Sequence, residues 1–467
     1  MIYSHLFARQ PDRRVRAGLI GAGSFGRAIV TQSPLIRRLD LCAVADIRLE
    51  AARSAVADAG YTADQIALCS TRAQALAALE TGHVVVTDDA LLLMDLPLEV
   101  IATATRVPEA AALYAREAIA RGKHVVMIDK EADAVVGPVL HRRALAAGLV
   151  YTTDDGDQPG LLAGLVGWAR ELGMEVLCGG DLRSARLDAA QGVVSRGGRS
   201  VRVPPELRWV LEPAAGQGLA RTMRARQELL APLAVDDTLG DPVCHMAVAA
   251  NNTGLLPERP VGHRVTARIT ELPAVYCPVE EGGILEGRGV LDVAYALHGR
   301  DDPHGGGGVF IVVANADPVS RAIMVDKGLH ANPSGTAMLA YRPFHLCGAE
   351  TAMSILCAGL LGVPTGGSDL RPRVDMLAVS TVDVAAGESI SSPGGLSYDR
   401  RYRASLAPAQ ALGPGRPVPF FMLGGLRAAQ PIPAGSVITW EMVERPAGAA
   451  LWELRQEQDR IFFTKEH

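Results

Sequence analysis

Residues 15–26 read V-R-A-G-L-I-G-A-G-S-F-G. Six residues suited to a short buried strand run into a GxGxxG turn, and a helical stretch follows. The next apolar run, L-C-A-V-A-D, closes on Asp46, twenty positions past Gly26. This setting is the one a dinucleotide needs. Gly21 permits the tight turn, Gly23 lets a pyrophosphate approach the backbone, and Gly26 lets helix and strand pack closely. The helix start offers free N–H groups and a positive dipole end. Gly21, Ala22, Gly23, Ser24, Phe25 and Gly26 are therefore the expected phosphate cradle, with Asp46 on the ribose. Asp46 favours unphosphorylated ribose and hence NAD, while Arg48 would instead neutralise the extra phosphate of NADP. The bland alternative, a glycine turn in an ordinary sheet, does not explain the acid at that distance.

Outward from this stretch the alternation continues. HVVVTDD (83–89) and LEVIATAT (98–105) read as strands, the latter bringing Thr103, Ala104 and Thr105 to the cofactor rim. PEAAALYAREAIARG (108–122) reads as a helix, KHVVMIDK (123–130) as a strand ending on Lys130, residues 133–147 as a helix, and LVYTTDDGD (149–157) as a strand. The pattern predicts an α/β fold, a doubly wound parallel Rossmann sheet over 1–174 with ligands at the carboxyl ends of its strands. Over 175–370 proline and glycine break the rhythm, which predicts an α+β domain for substrate and dimerisation. The glycines of HGGGGVF (304–310) read as a turn, since no Lys-Ser/Thr follows. LAYRPFHLCGAETAMSILCAGLLGVPTGG (339–367) reads as a helix with an entry segment, its Cys347 and Cys357 in the core. VAAGESI (384–390) and IPAGSVI (432–438) repeat one pattern, and the second runs into TWEMV (439–443). They predict a small β-clip module over 371–467.

Composition excludes several classes. The 467 residues carry 46 basic and 51 acidic side chains, a net charge of −5, which argues against a nucleic-acid binder driven by phosphate neutralisation. Seven scattered cysteines without a CxxC pair point to reduced thiols, not a disulfide framework or cysteine-bound zinc. No apolar signal region opens the chain, and no run approaches the roughly 18 apolar residues of a membrane span. A cytoplasmic homo-oligomer acting on a small molecule is the expectation, with neither nucleic acid nor membrane as partner. Only Lys123, Lys130, Lys327 and Lys465 are lysines among the 46 basic residues. A lysine in a pocket matters because its amine can change protonation state, whereas arginine stays charged.

Lys130 lies beside Glu131 and Asp133 on the expected ligand rim. An ammonium there can stabilise a developing alkoxide and supply its proton; a surface ion pair is the alternative. Asp154, Asp155 and Asp157 crowd the next strand end, ahead of Gln158. They can bind substrate hydroxyls, orient Lys130 or chelate a hard divalent ion, although no His/Glu spacing compels a metal, and Asp157 can equally cap the helix that follows. Lys130, Asp157 and Glu131 are the catalytic candidates; Asp155, Gln158, Arg342 and His345 are the substrate-binding ones. His345 also reads as a core histidine.

K-E-A-D (130–133), V-V-G-P (135–138), V-Y-T-T-D-D-G-D-Q-P (150–159), Y-R-P-F-H-L (341–346) and a terminal P-A-G-x-x-I-T-x-x-M-V module occur in this order. Together they resemble the SAF-domain-containing NAD(P)-dependent oxidoreductases with a homoserine-dehydrogenase-like N-terminal half. That group includes the 1-deoxy-D-xylulose 5-phosphate reductoisomerase-like enzymes and sugar-acid oxidoisomerases. The resemblance spans about 15–463 and implies hydride transfer on a sugar-derived carbonyl or hydroxy acid, with or without isomerisation. One departure is the expected substrate loop after Gly180, where residues 179–201 contain no lysine or tyrosine. It motivates a second expectation, a dinucleotide- and sugar-sensing protein whose C-terminal module recruits a partner.

Overall fold

The computed structural model describes residues 2–214, 216–302, 306–391 and 396–464. Seven strands, β1 (Val15–Ile20), β2 (Leu39–Ala45), β3 (Ile66–Leu68), β4 (Val84–Thr87), β5 (Val100–Thr103), β6 (His124–Met127) and β7 (Tyr151–Thr153), form one sheet. Its order is β3-β4-β2-β1-β5-β6-β7, and every pairing is parallel. Strand order reverses between β1 and β5, which opens a crevice at their carboxyl ends.

A parallel sheet needs cover on both faces. One face takes the helices Ser24–Gln32 and Leu49–Asp58 and, from far along the chain, Thr351–Leu356 with the π-type turn Cys357–Leu361. Val15, Leu19, Ile29 and Val44 pack there with Ile355, Leu356 and Leu360. The other face takes the helices Pro108–Ala120 and Lys130–Ala146, and the helix Ala450–Phe462 packs on both. Pro138 sits inside Lys130–Ala146. The ladder opens there and the Gln458 amide fills it: Nε2 donates to the Val135 carbonyl at 2.9 Å, and Val139 N donates to Oε1 at 3.2 Å. Buried Arg455 fixes the C-terminal helix to the strand Val374–Ser380, donating to Asp375 at 2.7 and 2.8 Å and to Asp459 at 2.8 Å.

The second sheet comprises β8 (Glu175–Asp188), β9 (Val193–Arg196), β10 (Arg199–Arg202), β11 (Thr266–Ala267), β12 (Val290–His298), β13 (Gly308–Ala314) and β14 (Ala337–Arg342). β8 runs parallel to β12 and antiparallel to β13 and β9. Residues 179–201, expected as a loop after Gly180, are therefore the rest of a long strand and a hairpin. The stretch 339–367 is not one helix either. It begins as the end of β14, and Pro343 and the left-handed Gly348 (φ +79°) intervene before a helix forms at Thr351. Cys347 is exposed, contrary to the expectation of a core thiol, whereas Cys357 is buried.

β15 (Val374–Ser380) and β16 (Tyr402–Pro408) pair antiparallel in a small third sheet. The repeats VAAGESI and IPAGSVI meet, with Val384 and Ile432 exchanging both backbone hydrogen bonds at 2.9 Å. The helical turn expected in TWEMV is Trp440–Met442. Gly305, the first glycine of 305–308, lies outside the described residues. Among the described residues no helix is long and apolar enough to cross a membrane.

Candidate active site

The carboxyl rim of the parallel sheet gathers the loops after β1, β5, β6 and β7. At the crevice, Gly21 adopts φ +103°, and a Cβ there would collide with the Ala104 carbonyl after β5. At Gly26 a Cβ would collide with the Gly21 carbonyl. Gly23 is different: it is exposed, and a Cβ would meet nothing within 4 Å. It precedes the Ser24 helix as an N-cap without a side-chain cap, so the first N–H groups of that helix point into open space. Ala22 is buried, while Ser24 is exposed and Phe25 partly so. Asp46 braces the turn by accepting from Ala22 N at 2.7 Å and from Arg48 N at 2.8 Å. Each carboxylate oxygen keeps a lone pair for a ribose hydroxyl. The Arg48 guanidinium stands largely exposed, 3.8 Å from Asp46. These residues fit a dinucleotide pyrophosphate. Thr103 is buried, its hydroxyl 3.2 Å from the Met127 sulfur inside the sheet, whereas Thr105 reaches the rim and donates to Asp129 at 3.0 Å.

Lys130 does not end a strand. β6 stops at Met127, and Lys130 opens the helix capped by Asp129. Its ammonium pairs with Asp241 at 2.9 Å. Burial acts to lower its pKa, but the fields of Asp157, then Asp241 and Glu131, outweigh burial and hold it charged. Asp241 itself is pulled down to about 2: burial works against this, and His245 and then Lys130 overcome it.

His245 lies one turn beyond Asp241 on the buried helix Gly240–Thr253. Its Nδ1 is 3.1 Å from Asp181 on β8. Burial opposes ionisation of Asp181, yet His245 and Arg183 bring its pKa to about 2, so the carboxylate accepts and Nδ1 carries the hydrogen. That leaves Nε2 buried without a hydrogen-bond partner, 3.8 Å from Asp157. Asp157 caps the helix Gln158–Glu171 through Gln158 N at 2.8 Å and lies 4.0 Å from His345 Nε2. One carboxylate thus both caps the helix and faces the two imidazoles.

The other acids separate. Asp133 is buried and accepts from Tyr151 at 2.8 Å and Thr153 at 2.6 Å; a Cβ at Gly137 would displace it. Asp154 accepts from Thr351 at 2.9 Å, and burial raises it to about 7. Asp155 is raised to about 6, by burial first and then by Glu350. Burial, more than mutual repulsion, perturbs this acidic run. The Gln158 amide is committed to the Gly308 carbonyl at 3.1 Å, and Arg342 is paired with Glu350. His345 Nδ1 faces the Gly307 carbonyl. Among the described residues no three His, Cys, Asp or Glu side chains are arranged to hold a metal ion.

Asp181, Asp241 and His245 escaped the sequence reading. Asp241 and His245 stand four apart, a spacing that puts both on one helix face, and this was the available signal.

Comparison with known proteins adds a partial match. Residues 212–351, which include Asp241 and His245, match the family model "Oxidoreductase DRL, catalytic domain". No curated protein matches the chain. Among solved structures, myo-inositol dehydrogenase from Lactobacillus casei, in complex with NAD(H) and myo-inositol, is 17% identical over 38% of this chain and 48% of its own, TM-score 0.28. WlbA dehydrogenase from Bordetella pertussis, in complex with NADH and UDP-GlcNAcA, is 17% identical over 37% of this chain and 47% of its own, TM-score 0.25. GenD2 from gentamicin A biosynthesis, in complex with NAD, is 14% identical over 75% of this chain and 88% of its own, TM-score 0.34. The first two matches span about half the length of those structures. At such identities and scores the likeness carries no argument about the reaction.

Proposed function

We propose that this chain is an NAD(P)-dependent oxidoreductase acting on a small sugar-derived polyol, carbonyl compound or hydroxy acid, with NAD the favoured dinucleotide. The observation that carries the reading is an open glycine turn together with a charged Lys130 paired to Asp241, on the helix whose His245 keeps a buried Nε2 without a hydrogen-bond partner. The partial match to an oxidoreductase catalytic domain supports it. When bound, the dinucleotide supplies or accepts the hydride. Gly23 and the start of the Ser24 helix hold its phosphates, and Asp46 its ribose.

Lys130 stays charged and stabilises the negative charge that grows on the substrate oxygen; held charged so firmly, it is a poor proton shuttle. The proton passes instead to His245 Nε2, with Asp181 fixing the ring and balancing the imidazolium that results. Asp157 orients Lys130 and both imidazoles. A reductoisomerase step would place the same Lys130 charge on the carbonyl oxygen during a 1,2-shift. In this reading residues 1–174 bind the dinucleotide, 175–370 shape the substrate site, and 371–467 are a SAF-like clip.

NAD(P)H binding by fluorescence, followed by turnover of a polyol and sugar-acid panel, tests the proposal. Lys130→Ala should abolish turnover with dinucleotide affinity preserved, and Lys130→Arg controls for folding. Unchanged turnover in Lys130→Ala refutes the assignment. Dinucleotide binding without turnover across the panel supports a sensor instead.

A further inference from the structure

The C-terminal segment reaches this rim. Tyr398 ends a short turn, Leu396–Tyr398, seated on the start of the helix that carries Asp241 and His245. A Cβ at Gly240 would stand 2.8 Å from the Ser397 Cα and 3.0 Å from the Phe420 ring. Leu396 before it is buried, and Asp399 after it pairs with Arg401 at 2.9 Å, so the backbone is held while the Tyr398 ring is 54% exposed.

Arg106, in the loop after β5, has φ +60°, a left-handed conformation that an arginine keeps only where its surroundings impose it. Here its backbone N–H donates to Asp129, which also takes the Thr105 hydroxyl. The guanidinium carbon is thereby 5.9 Å from the Tyr398 ring centroid, at the reach of a cation–π contact. Ser397, the residue before Tyr398, packs on Gly240, and Asp241, the partner of Lys130, follows Gly240 directly.

Other arginines named at the site are paired: Arg183 with Asp181 and Arg342 with Glu350. Among the described residues no carboxylate pairs with Arg106.

We propose that Arg106 and Tyr398 form a subsite on the rim that carries Lys130, receiving the anionic end of the substrate, a carboxylate or a phosphate monoester. The guanidinium fork matches either oxyanion, and the phenol adds a donor. Lys130 does not serve this end, because in the oxidoreductase reading its ammonium is engaged at the reacting oxygen. The inference rests on the oxidoreductase reading for what binds at this rim, and it makes the C-terminal segment a determinant of specificity.

Calorimetry on the full-length chain tests it with D-glucitol, D-gluconate and D-glucitol 6-phosphate, each with and without NADH. An anion should bind about 10- to 100-fold tighter than glucitol, and whichever anion does so identifies the source. Arg106→Gln should erase that preference, Arg106→Lys should keep part of it, and Tyr398→Phe should weaken it, all without altering NADH affinity or Tm. No anion preference in the wild-type chain, or a preference that survives Arg106→Gln, overturns the subsite. So does a loss of NADH affinity in Arg106→Gln, which would make Arg106 a dinucleotide contact. A preference lost in Arg106→Gln in a chain that never binds NADH keeps the subsite and removes the oxidoreductase reading.

Discussion

Replacing Gly23 by alanine separates ligand binding from folding. Gly23 sits at φ −66°, ψ −171°, an extended conformation open to any L residue, and its missing Cβ faces empty space. Gly23→Ala should therefore fold as the parent does, and restricting the unfolded chain can add about 0.4–1 kcal/mol. The added methyl occupies the space through which a pyrophosphate must approach the N–H groups of the Ser24 helix. Each charge-assisted hydrogen bond forfeited there is worth about 1.5–3 kcal/mol, so NAD(P)H affinity should fall by about 10- to 100-fold. Gly26→Ala is the contrast. Its Cβ would meet the Gly21 carbonyl below 3.0 Å, and helix and strand would have to part by the order of 1 Å, at a stability cost of about 1–3 kcal/mol. Fluorescence titration with NADH beside urea denaturation reads both quantities. If Gly23→Ala binds NADH as tightly as the parent, the phosphates do not lie on this turn and the reasoning fails.

Two further outcomes concern stability. Burial lifts Asp154 from 3.8 to about 7. Between those values the folded chain holds a proton that the unfolded chain has released, so this residue's contribution to stability declines as pH rises from about 4 to 7. Linkage puts the loss at up to about 4 kcal/mol. Asp154→Asn should flatten that slope in urea melts, and an unchanged slope would contradict the assignment. Arg455→Met leaves Asp375 and Asp459 buried without their cation and should cost about 3–5 kcal/mol in chemical denaturation; a loss below about 1 kcal/mol would show the pairs to be dispensable.

The glycine turn and its parallel sheet were legible because their requirements are local. A turn that forbids side chains at Gly21 and Gly26 must be written in glycine, and strands buried on both faces must be written in apolar runs. Lys130 was recognised as important but placed on the wrong element: KHVVMIDK suits a strand to its last residue, and the helix begins there only because Asp129 turns to hold Thr105 and Arg106. The Asp181–His245 pair, proposed to handle the proton, was not legible. Asp181 and His245 are 64 residues apart, and a histidine between Cys244 and Val248 on an apolar helix reads as core until the opposing strand is seen. The 339–367 stretch failed for a related reason: its apolar residues serve two partners, β13 at one end and β1 at the other, and periodicity alone does not divide them.

The return of Ile355–Leu360 to the face of β1 sets an order of events in synthesis. All seven strands of the parallel sheet have been made by Thr153, yet the residues that cover Val15 and Leu19 are added roughly 200 positions later. At ~5–20 residues per second that interval lasts ~10–40 s. Through it the nascent sheet has that face covered only by the helices Ser24–Gln32 and Leu49–Asp58, and the apolar strip that Ile355–Leu360 will fill stays open, a natural client surface for chaperones. A chain interrupted before Thr351 would keep that strip open permanently, marking incomplete products for proteolysis.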